Sequence, residues 1–250
     1  MIEKIRLVTL DNAYCAATQP LAKTMFGELL CLRAEGYGSE YPPSFLPLDA
    51  ADYVVWHHLF CVEEATRLIP VAGFRQVSLK RCDFYQIKMP LLKTAEDANA
   101  HRHLLALNAI FSESRQEDMD AVYSAGLTIK KHYRGIRELS AFVRELGAAL
   151  TYADMLERAV HSYVCAAVLR FKTNIWFQDV GYRPLELNGE TLSIIHKVSA
   201  GNEPMLLMHL TEISDWAKSC REKHEFLFRK RLVIEPKDAE SAGIEEPVAA

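Results

Sequence analysis

A run of β-forming residues leads directly into a basic turn and then into a long amphipathic helix, and this unit constrains the fold more than any other part of the chain. Residues 122–129 are typical of a strand, and apolar residues recur at helical spacing between 136 and 150. The turn between them contains the cations Lys130, Lys131, Arg134 and Arg137. The N–H groups at a helix N-terminus are unpaired and attract anions. The unit therefore predicts a seat for a pyrophosphate or a phosphopantetheine phosphate, although a merely solvated basic turn has the same pattern.

The composition of the chain is that of an ordinary folded protein. Its 250 residues include 29 basic and 33 acidic side chains, for a formal net charge of −4, and 50% of them are hydrophobic. Extensive disorder and low-complexity repeats are thereby excluded. A nucleic-acid-binding module would rest on the basic turn alone, and the negative net charge disfavours it, so we expect no nucleic-acid partner. Apolar runs are short and charges interrupt the N-terminus early, so we expect neither a transmembrane segment nor a secretory signal.

Cysteine and histidine spacing gives no sign of a disulfide framework or a metal centre. The six cysteines are far apart in sequence, and no two form a C-x-x-C pair. They are expected to be reduced thiols of a cytoplasmic protein. His101 and His103 fall on a predicted helix, where residues two apart point in different directions, so we expect no metal ligand there or elsewhere.

Hydrophobic periodicity predicts a mixed sheet that is covered by helices. Strands are expected at residues 5–10, 52–62, 67–78, 122–129, 160–169, 192–198 and 205–209, and helices at 13–32, 95–114, 136–150, 170–180 and 211–228. The second and third strands are close enough in sequence to form an antiparallel hairpin. We therefore expect an α/β (α+β) fold with a mostly antiparallel central sheet and helices on both faces. One domain should occupy residues 1–234, and the acidic residues 235–250 should be a disordered tail.

Two segments of the chain carry motifs of a known superfamily. Residues 128–137 read TIKKHYRGIR, and a buried strand at 160–169 is followed by a short helix and by GYRP at 181–184. In these features the chain resembles the GNAT acyltransferases, whose strand before the long helix ends in a pyrophosphate loop. The resemblance implies a GNAT-like αβα sandwich in which residues 127–129 offer a backbone N–H to a thioester carbonyl. It implies donor binding by Leu127, Thr128, Ile129, Lys130, Lys131, Arg134, Gly135, Ile136 and Arg137.

The N-terminal half resembles one branch of that superfamily, the acyl-homoserine-lactone synthases and N-acyl amino acid synthases. Those enzymes have an aromatic residue in a first helix, an Asp-rich approach to the sheet and a hairpin that ends in Gly-x-Arg. The resemblance implies an acceptor site formed by Phe26, Arg33, Asp52 and Arg75. By their chemistry alone, Asp52 and Arg75 could hold the amine and carboxylate of an amino acid, or could form a structural salt bridge with each other.

The usual proton-transfer groups of these enzymes are not matched. Ser124 is kept on the strand before the loop but the neighbouring carboxylate is not, and Phe177 stands where acetyltransferases often have a tyrosine. Arg137 stands where the phosphate loop usually has glycine. His57 and His58 are candidates for the base, since an unperturbed imidazole titrates near pH ~6.5, and a buried structural role would explain them equally. The catalytic candidates are therefore His57, His58 and Ser124.

These features predict a cytoplasmic acyltransferase with no permanently bound cofactor. It would move a fatty acyl group from acyl-CoA, or from the phosphopantetheine of an acyl-carrier protein, to the amine of a small molecule such as an amino acid. The basic loop would suit a CoA phosphate or an acidic carrier protein. Two alternatives remain open. One is a short-chain N-acetyltransferase, and the other is a degenerate GNAT-fold protein that binds acyl ligands or partners without chemistry.

Overall fold

The structure is a computed structural model that describes residues 4–43, 45, 48–64 and 67–236. Its strands are β1 (Ile5–Asp11), β2 (Trp56–Glu64), β3 (Arg67–Ser78), β4 (Asp120–Ile129), β5 (Val160–Val168), β6 (Arg183–Pro184), β7 (Glu186–Leu187), β8 (Glu190–Thr191), β9 (Ile195–Lys197), β10 (Glu203–Leu210) and β11 (Leu232–Ile234). Its α-helices are α1 (Pro20–Gly38), α2 (Leu79–Phe84), α3 (Pro90–Asp97), α4 (His101–Gln116), α5 (Arg137–Glu157), α6 (Thr173–Val180), α7 (Asp215–Lys223) and α8 (Glu225–Arg229). The acidic tail was predicted at residues 235–250, and from residue 237 onward it lies outside the described residues.

One large mixed sheet forms the centre of the fold. Its strand order is β11-β1-β2-β3-β4-β5-β10-β6, with β9 also paired to β10, and β7 and β8 form a separate hairpin. Parallel pairing joins β1 to β11 and β4 to β5, and the other neighbours in the large sheet pair antiparallel. The predicted mostly antiparallel sheet is confirmed.

Helices cover both faces of this sheet. Helices α2, α3 and α4 pack on the face that carries Val77, Tyr123 and Leu207. Helix α1 packs on the same face, over β1 and β2. Helices α5 to α8 pack on the opposite face, over residues that alternate with these along the strands, such as Val122 and Met208. The sequence prediction of helices on both faces is therefore confirmed.

The first helix is displaced from its predicted position. Residues Ala13–Ala17 form a short 3-10 turn, and α1 begins at Pro20, whose fixed φ angle suits the first helical position. The helix continues through Gly36 to Gly38, where the sequence predicted a stop. Gly36 is required for packing, because a Cβ there would lie 2.6 Å from Cγ2 of Thr128. The glycine thus brings α1 close to β4.

Two predicted helices are each divided in the structure. The predicted helix at 95–114 is α3 followed by α4, which are separated at Asn99, a residue with φ of 52°. The predicted helix at 211–228 is α7 followed by α8, with His224 between them. The edge strand β11 was not predicted. Among the described helices, none has the length and hydropathy to cross a membrane, and the five cysteines with described side chains are free thiols.

Candidate active site

The parallel strands β4 and β5 separate in the middle of the sheet. Their pairing runs from Asp120 opposite Val160 to Ser124 opposite Cys165 and stops there. Beyond that point β4 continues only along β3, and β5 continues only along β10. A gap therefore opens between the two strands toward their carboxyl ends.

A glycine bulge accompanies the separation. Ala125 lies opposite Arg75 and Thr128 lies opposite Gly73, so two residues of β4 face one residue of β3. Gly126 in this bulge has φ of 68°, a conformation that strains any residue with a Cβ. A bulge bends its strand and changes where the chain is directed. Gly126 therefore marks the place where β4 turns away from β5.

A cavity of about 710 Å³ occupies this gap. Its wall includes Tyr123 and Met205 from the face covered by α2–α4, together with Val143 and Trp176 from the helices of the opposite face. The cavity thus passes through the sheet, and we call it the through-sheet cavity. Its volume lies within the ~300–1,000 Å³ range of small-molecule sites. Of the residues predicted to bind donor, Leu127, Ile129, Arg134 and Gly135 line it.

A second cavity of about 520 Å³, the charged cavity, opens beside the first. The described residues that line both cavities are Tyr37, Phe45, Tyr123, Ala125, Gly126 and Lys197. Arg33, Asp52 and Arg75, predicted to bind the acceptor, line the charged cavity. Phe26 does not line either cavity, and its ring contacts Tyr53 and His57 instead. The two cavities therefore meet beside the bulge.

Buried ion pairs form the wall of the charged cavity. Asp52 Oδ1 accepts from Arg33 Nη1 at 2.5 Å, and Asp52 Oδ2 lies 2.7 Å from Arg75 Nη1. Arg75 also donates to both oxygens of Asp49, at 2.8 and 2.6 Å. Burial alone would raise the pKa of Asp52, but Arg75 and Arg33 outweigh it and lower this pKa from 3.8 to about 2. Of the two interpretations of Asp52 and Arg75, the structural salt bridge is present.

The two histidines lie on opposite faces of β2, as predicted, but the structure brings neither to a cavity. His57 contacts the backbone oxygen of Asp52 through Nε2 at 2.7 Å. His58 contacts Thr9 Oγ1 at 3.1 Å and Gln76 Oε1 at 3.0 Å. Burial, reinforced by the charge of Arg33, lowers the pKa of His57 from 6.5 to about 3. Both rings are fully buried, so their position fits the structural interpretation and does not support a role as base.

The basic turn reaches the through-sheet cavity through one cation. Arg134 lines the cavity, donates from Nε to Ile129 O at 2.7 Å, and forms an ion pair with Glu40. Helix α5 begins directly after this turn and has no side-chain cap at its N-terminus. The other residues predicted to bind donor do not line either cavity: Thr128, Lys130, Lys131, Ile136 and Arg137. Arg134 is thus the cation of the basic turn that is placed to meet an anion in the cavity.

Ser124 lies at the point where the strands separate, beside a buried tyrosine. Tyr182 donates a hydrogen bond to Ser124 Oγ at 3.4 Å, and both residues line the through-sheet cavity. Burial raises the pKa of Tyr182 well above 10. A phenol that retains its proton can donate it to a developing thiolate. The sequence showed Tyr182 only as part of the GYRP segment, and the contact with Ser124 depends on pairing between distant strands.

Several charged residues of the site were not predicted, and Glu203 and Lys197 are two of them. Glu203 lines the through-sheet cavity, and Lys197 lines both cavities. They lie directly opposite each other on β10 and β9. Outside these cavities, ligand atoms of Glu113, Glu117 and His161 lie within 4.8 Å of one another near the surface. No other group of this kind is found among the described residues.

Comparison with known proteins assigns the fold. No protein-family model matches the chain, and no curated protein matches its sequence. The CoA-dependent acyl-homoserine lactone synthase BjaI, solved with SAM and isopentyl-CoA, is similar at a TM-score of 0.54 and 12% identity, covering 95% of this chain and 97% of that one. BjaI solved with MTA gives 0.51 and 11% identity over 95% and 97%. FeeM, an N-acyl amino acid synthase from uncultured soil microbes, gives 0.47 and 14% identity over 89% and 98%.

The chain therefore has the GNAT acyltransferase fold, in the form seen in BjaI. The resemblance found in the sequence is confirmed at the level of the fold.

Proposed function

We propose that the protein is an N-acyltransferase. It transfers an acyl group from acyl-CoA, or from the phosphopantetheine of a carrier protein, to the amine of a small molecule. The observation that carries this proposal is the through-sheet cavity, which meets a second, charged cavity at Ala125 and Gly126. In an acyl transfer, the amine of one substrate must reach the thioester carbonyl carbon of the other. Two joined cavities would hold the two substrates so that they meet at one point.

The donor side of the proposal rests on Arg134. Its guanidinium already binds one anion, the carboxylate of Glu40, at the wall of the cavity. A phosphate of CoA or of phosphopantetheine would compete for the same guanidinium, and the uncapped start of α5 would add backbone N–H donors. BjaI was solved with isopentyl-CoA, and its likeness in fold supports a CoA thioester as the donor of this chain.

The chemistry of the proposal needs a polarised carbonyl and a proton for the leaving thiolate. Residues 127–129 remain the candidates for the N–H that polarises the carbonyl, as the resemblance implies. Tyr182 lines the same cavity and burial keeps its proton in place, so it is the candidate to donate a hydrogen bond to the sulfur as negative charge develops there. Ser124 accepts a hydrogen bond from Tyr182 and would hold the phenol in place. The acceptor enters from the charged cavity.

A thermal-shift series tests the proposal. Coenzyme A, acetyl-CoA, octanoyl-CoA and a longer acyl-CoA are each added at the same concentration, about 100 times the dissociation constant of coenzyme A. A ligand at that excess stabilises a protein by ~2.7 kcal/mol, a shift of about 5–11 °C for a chain of this size. We expect the shift to grow with acyl length, because a cavity of about 710 Å³ holds more than an acetyl group.

Other outcomes of this series are equally informative. A shift with acetyl-CoA that longer chains do not increase would support a short-chain acetyltransferase. A shift with an acylated carrier protein but with none of the CoA compounds would identify the carrier protein as the acyl donor. Stabilisation by acyl-CoA with no CoA release in the presence of any amine would support an acyl-binding protein without chemistry.

Replacing Arg134 with alanine is expected to weaken coenzyme A binding about 10- to 100-fold. The variant loses a charge-assisted hydrogen bond, which contributes ~1.5–3 kcal/mol. Lys131→Ala is the matched control, because it removes a cation of the same turn that does not line the cavity. Isothermal titration of both variants with coenzyme A checks this prediction. Equal affinities for the two variants would contradict it.

A further inference from the structure

A buried carboxylate with one unpaired oxygen lies in the wall of the through-sheet cavity. Glu203 is the first residue of β10 and is 7% exposed. Its Oε2 lies 2.6 Å from Arg170 Nε. Its Oε1 is buried and has no hydrogen-bond partner among the described residues. Arg170 thus fixes one oxygen and leaves the other unpaired, and a small movement of the side chain would bring that oxygen to the cavity.

An unpaired buried carboxylate oxygen indicates a missing donor. Leaving a buried acceptor unsatisfied is unfavourable, and most such groups in folded proteins have a partner. Since Glu203 lines a cavity, a molecule in that cavity can supply the donor. The hydrogen-bond donor would be an N–H group or an ammonium, from which a carboxylate accepts strong hydrogen bonds.

The position of Glu203 favours the acceptor substrate over the acyl donor. Glu203 and Met205 alternate with residues of the opposite face, so Glu203 lies on the face covered by α1–α4. The charged cavity opens on this face. Lys197, directly opposite Glu203 on β9, lines both cavities. Glu203 therefore lies on the sheet face from which the charged cavity opens, next to a residue that joins the two cavities.

We propose that Glu203 binds the amine of the acyl acceptor and takes the proton that its nitrogen loses as the amide forms. The inference rests on the proposed function and names a residue for its proton transfer. The neutral amine attacks the thioester carbonyl, a C–N bond forms, and the nitrogen becomes positively charged. Glu203 takes one proton from that nitrogen. The C–S bond then breaks, and the thiolate leaves and takes a proton from water to become the free thiol. Glu203 returns its proton to solvent, so the amine loses one proton and the thiol gains one.

The other candidate bases do not have this position. Ser124 offers a hydroxyl, which is a weak proton acceptor near neutral pH. His57 and His58 are fully buried and line neither cavity. Lys197 lies with its Nζ 5.0 Å from the centre of the Phe45 ring; burial lowers its pKa, but in its protonated form it would repel an ammonium. Glu203 supplies, from β10, the carboxylate that is absent beside Ser124 on β4.

The test compares Glu203→Gln with Glu222→Gln, the same substitution at an exposed position. Octanoyl-CoA is the donor, and the twenty amino acids and simple alkylamines are the acceptors. CoA thiol release and product mass are followed from pH 6 to 10. We expect Glu203→Gln to lower kcat about 10²- to 10⁴-fold, with the octanoyl-CoA thermal shift retained. The deficit should narrow at high pH, where solvent base replaces the carboxylate, and formate should partly restore activity to Glu203→Gly.

Three outcomes would overturn the inference, and they are distinguishable. If Glu203→Gln and wild type share the same kcat and pH profile, Glu203 takes no proton and the proposed function stands. If Glu203→Gln loses the octanoyl-CoA shift as well, Glu203 supports the donor cavity and does not serve the amine. If wild type is stabilised by octanoyl-CoA but releases no thiol with any amine, the proposed function fails and the inference fails with it.

Discussion

Replacing Asp52 with alanine is expected to lower the free energy of unfolding by about 3–5 kcal/mol, because it removes the anion from a buried ion cluster. Asp52 is 1% exposed and lies between Arg33 and Arg75. Its second oxygen also accepts from the backbone N–H of Asp49 at 2.8 Å. Without the carboxylate, two buried guanidinium groups lose the anion that they share, although Arg75 keeps Asp49. Urea unfolding followed by tryptophan fluorescence measures the change.

Asp118→Asn is the control for this prediction, because asparagine tolerates the φ of 51° at this position. Asp118 also forms an ion pair, with Lys80 at 2.8 Å, but its side chain is 96% exposed. Exposed pairs contribute little to stability, so this variant should unfold like wild type. An Asp52→Ala protein as stable as wild type would show that the cluster does not hold α1 and the 49–53 turn to the sheet.

Lowering the pH from 6.5 to 4 is expected to destabilise the protein by several kcal/mol. His57 and His58 are buried as neutral rings, and burial lowers the pKa of both, to about 3 for His57. Below pH 6.5 the unfolded chain binds protons at these residues while the folded chain does not. The free energy of unfolding therefore falls by up to about 1.4 kcal/mol per pH unit for each histidine. Asp52 adds to the loss only between pH 3.8 and about 2, where its folded form is still ionised.

The slope of stability against pH is the quantity to measure. Urea unfolding is repeated at half-unit steps between pH 7.5 and 4.5. His58→Gln should reduce the slope even if it lowers stability at every pH, and exposed His101→Gln should leave the slope unchanged. A flat profile between pH 6.5 and 4.5 in wild type would contradict the assignment of neutral, buried histidines.

The parts of the fold that follow from local pattern were predictable. The strand predicted at 67–78 has the bounds of β3, and β4 and β5 differ from their predictions by one or two residues. These strands have continuous β-branched and apolar runs, which a single-sequence pattern detects. Strand β11 is three residues long and is stabilised by pairing with β1, more than 200 positions earlier in the chain. No local sequence pattern predicts a strand of this kind.

The site was predictable only in part, for a similar reason. The sequence placed Arg134 in an anion-binding turn, and Asp52 and Arg75 could be identified as a charged pair. Glu203 could not be identified, because its significance depends on Arg170 holding one oxygen and on the gap beside it. His57 and His58 were candidates by their chemistry, and only the packing of both faces shows that they are sealed from the cavities.

The end of pairing at Ser124 and Cys165 divides the sheet into two leaves. Strands β11, β1, β2, β3 and β4 form one leaf, and β5, β9, β10 and β6 form the other. Along the gap, a molecule in the through-sheet cavity touches both leaves where backbone hydrogen bonds are missing. Its binding free energy therefore opposes the separation of the leaves. Residues such as Leu127 and Ala166 line this cavity and would select the acyl chain. The same residues would then determine how readily the two leaves separate. Substrate preference and resistance to opening would therefore have to evolve together.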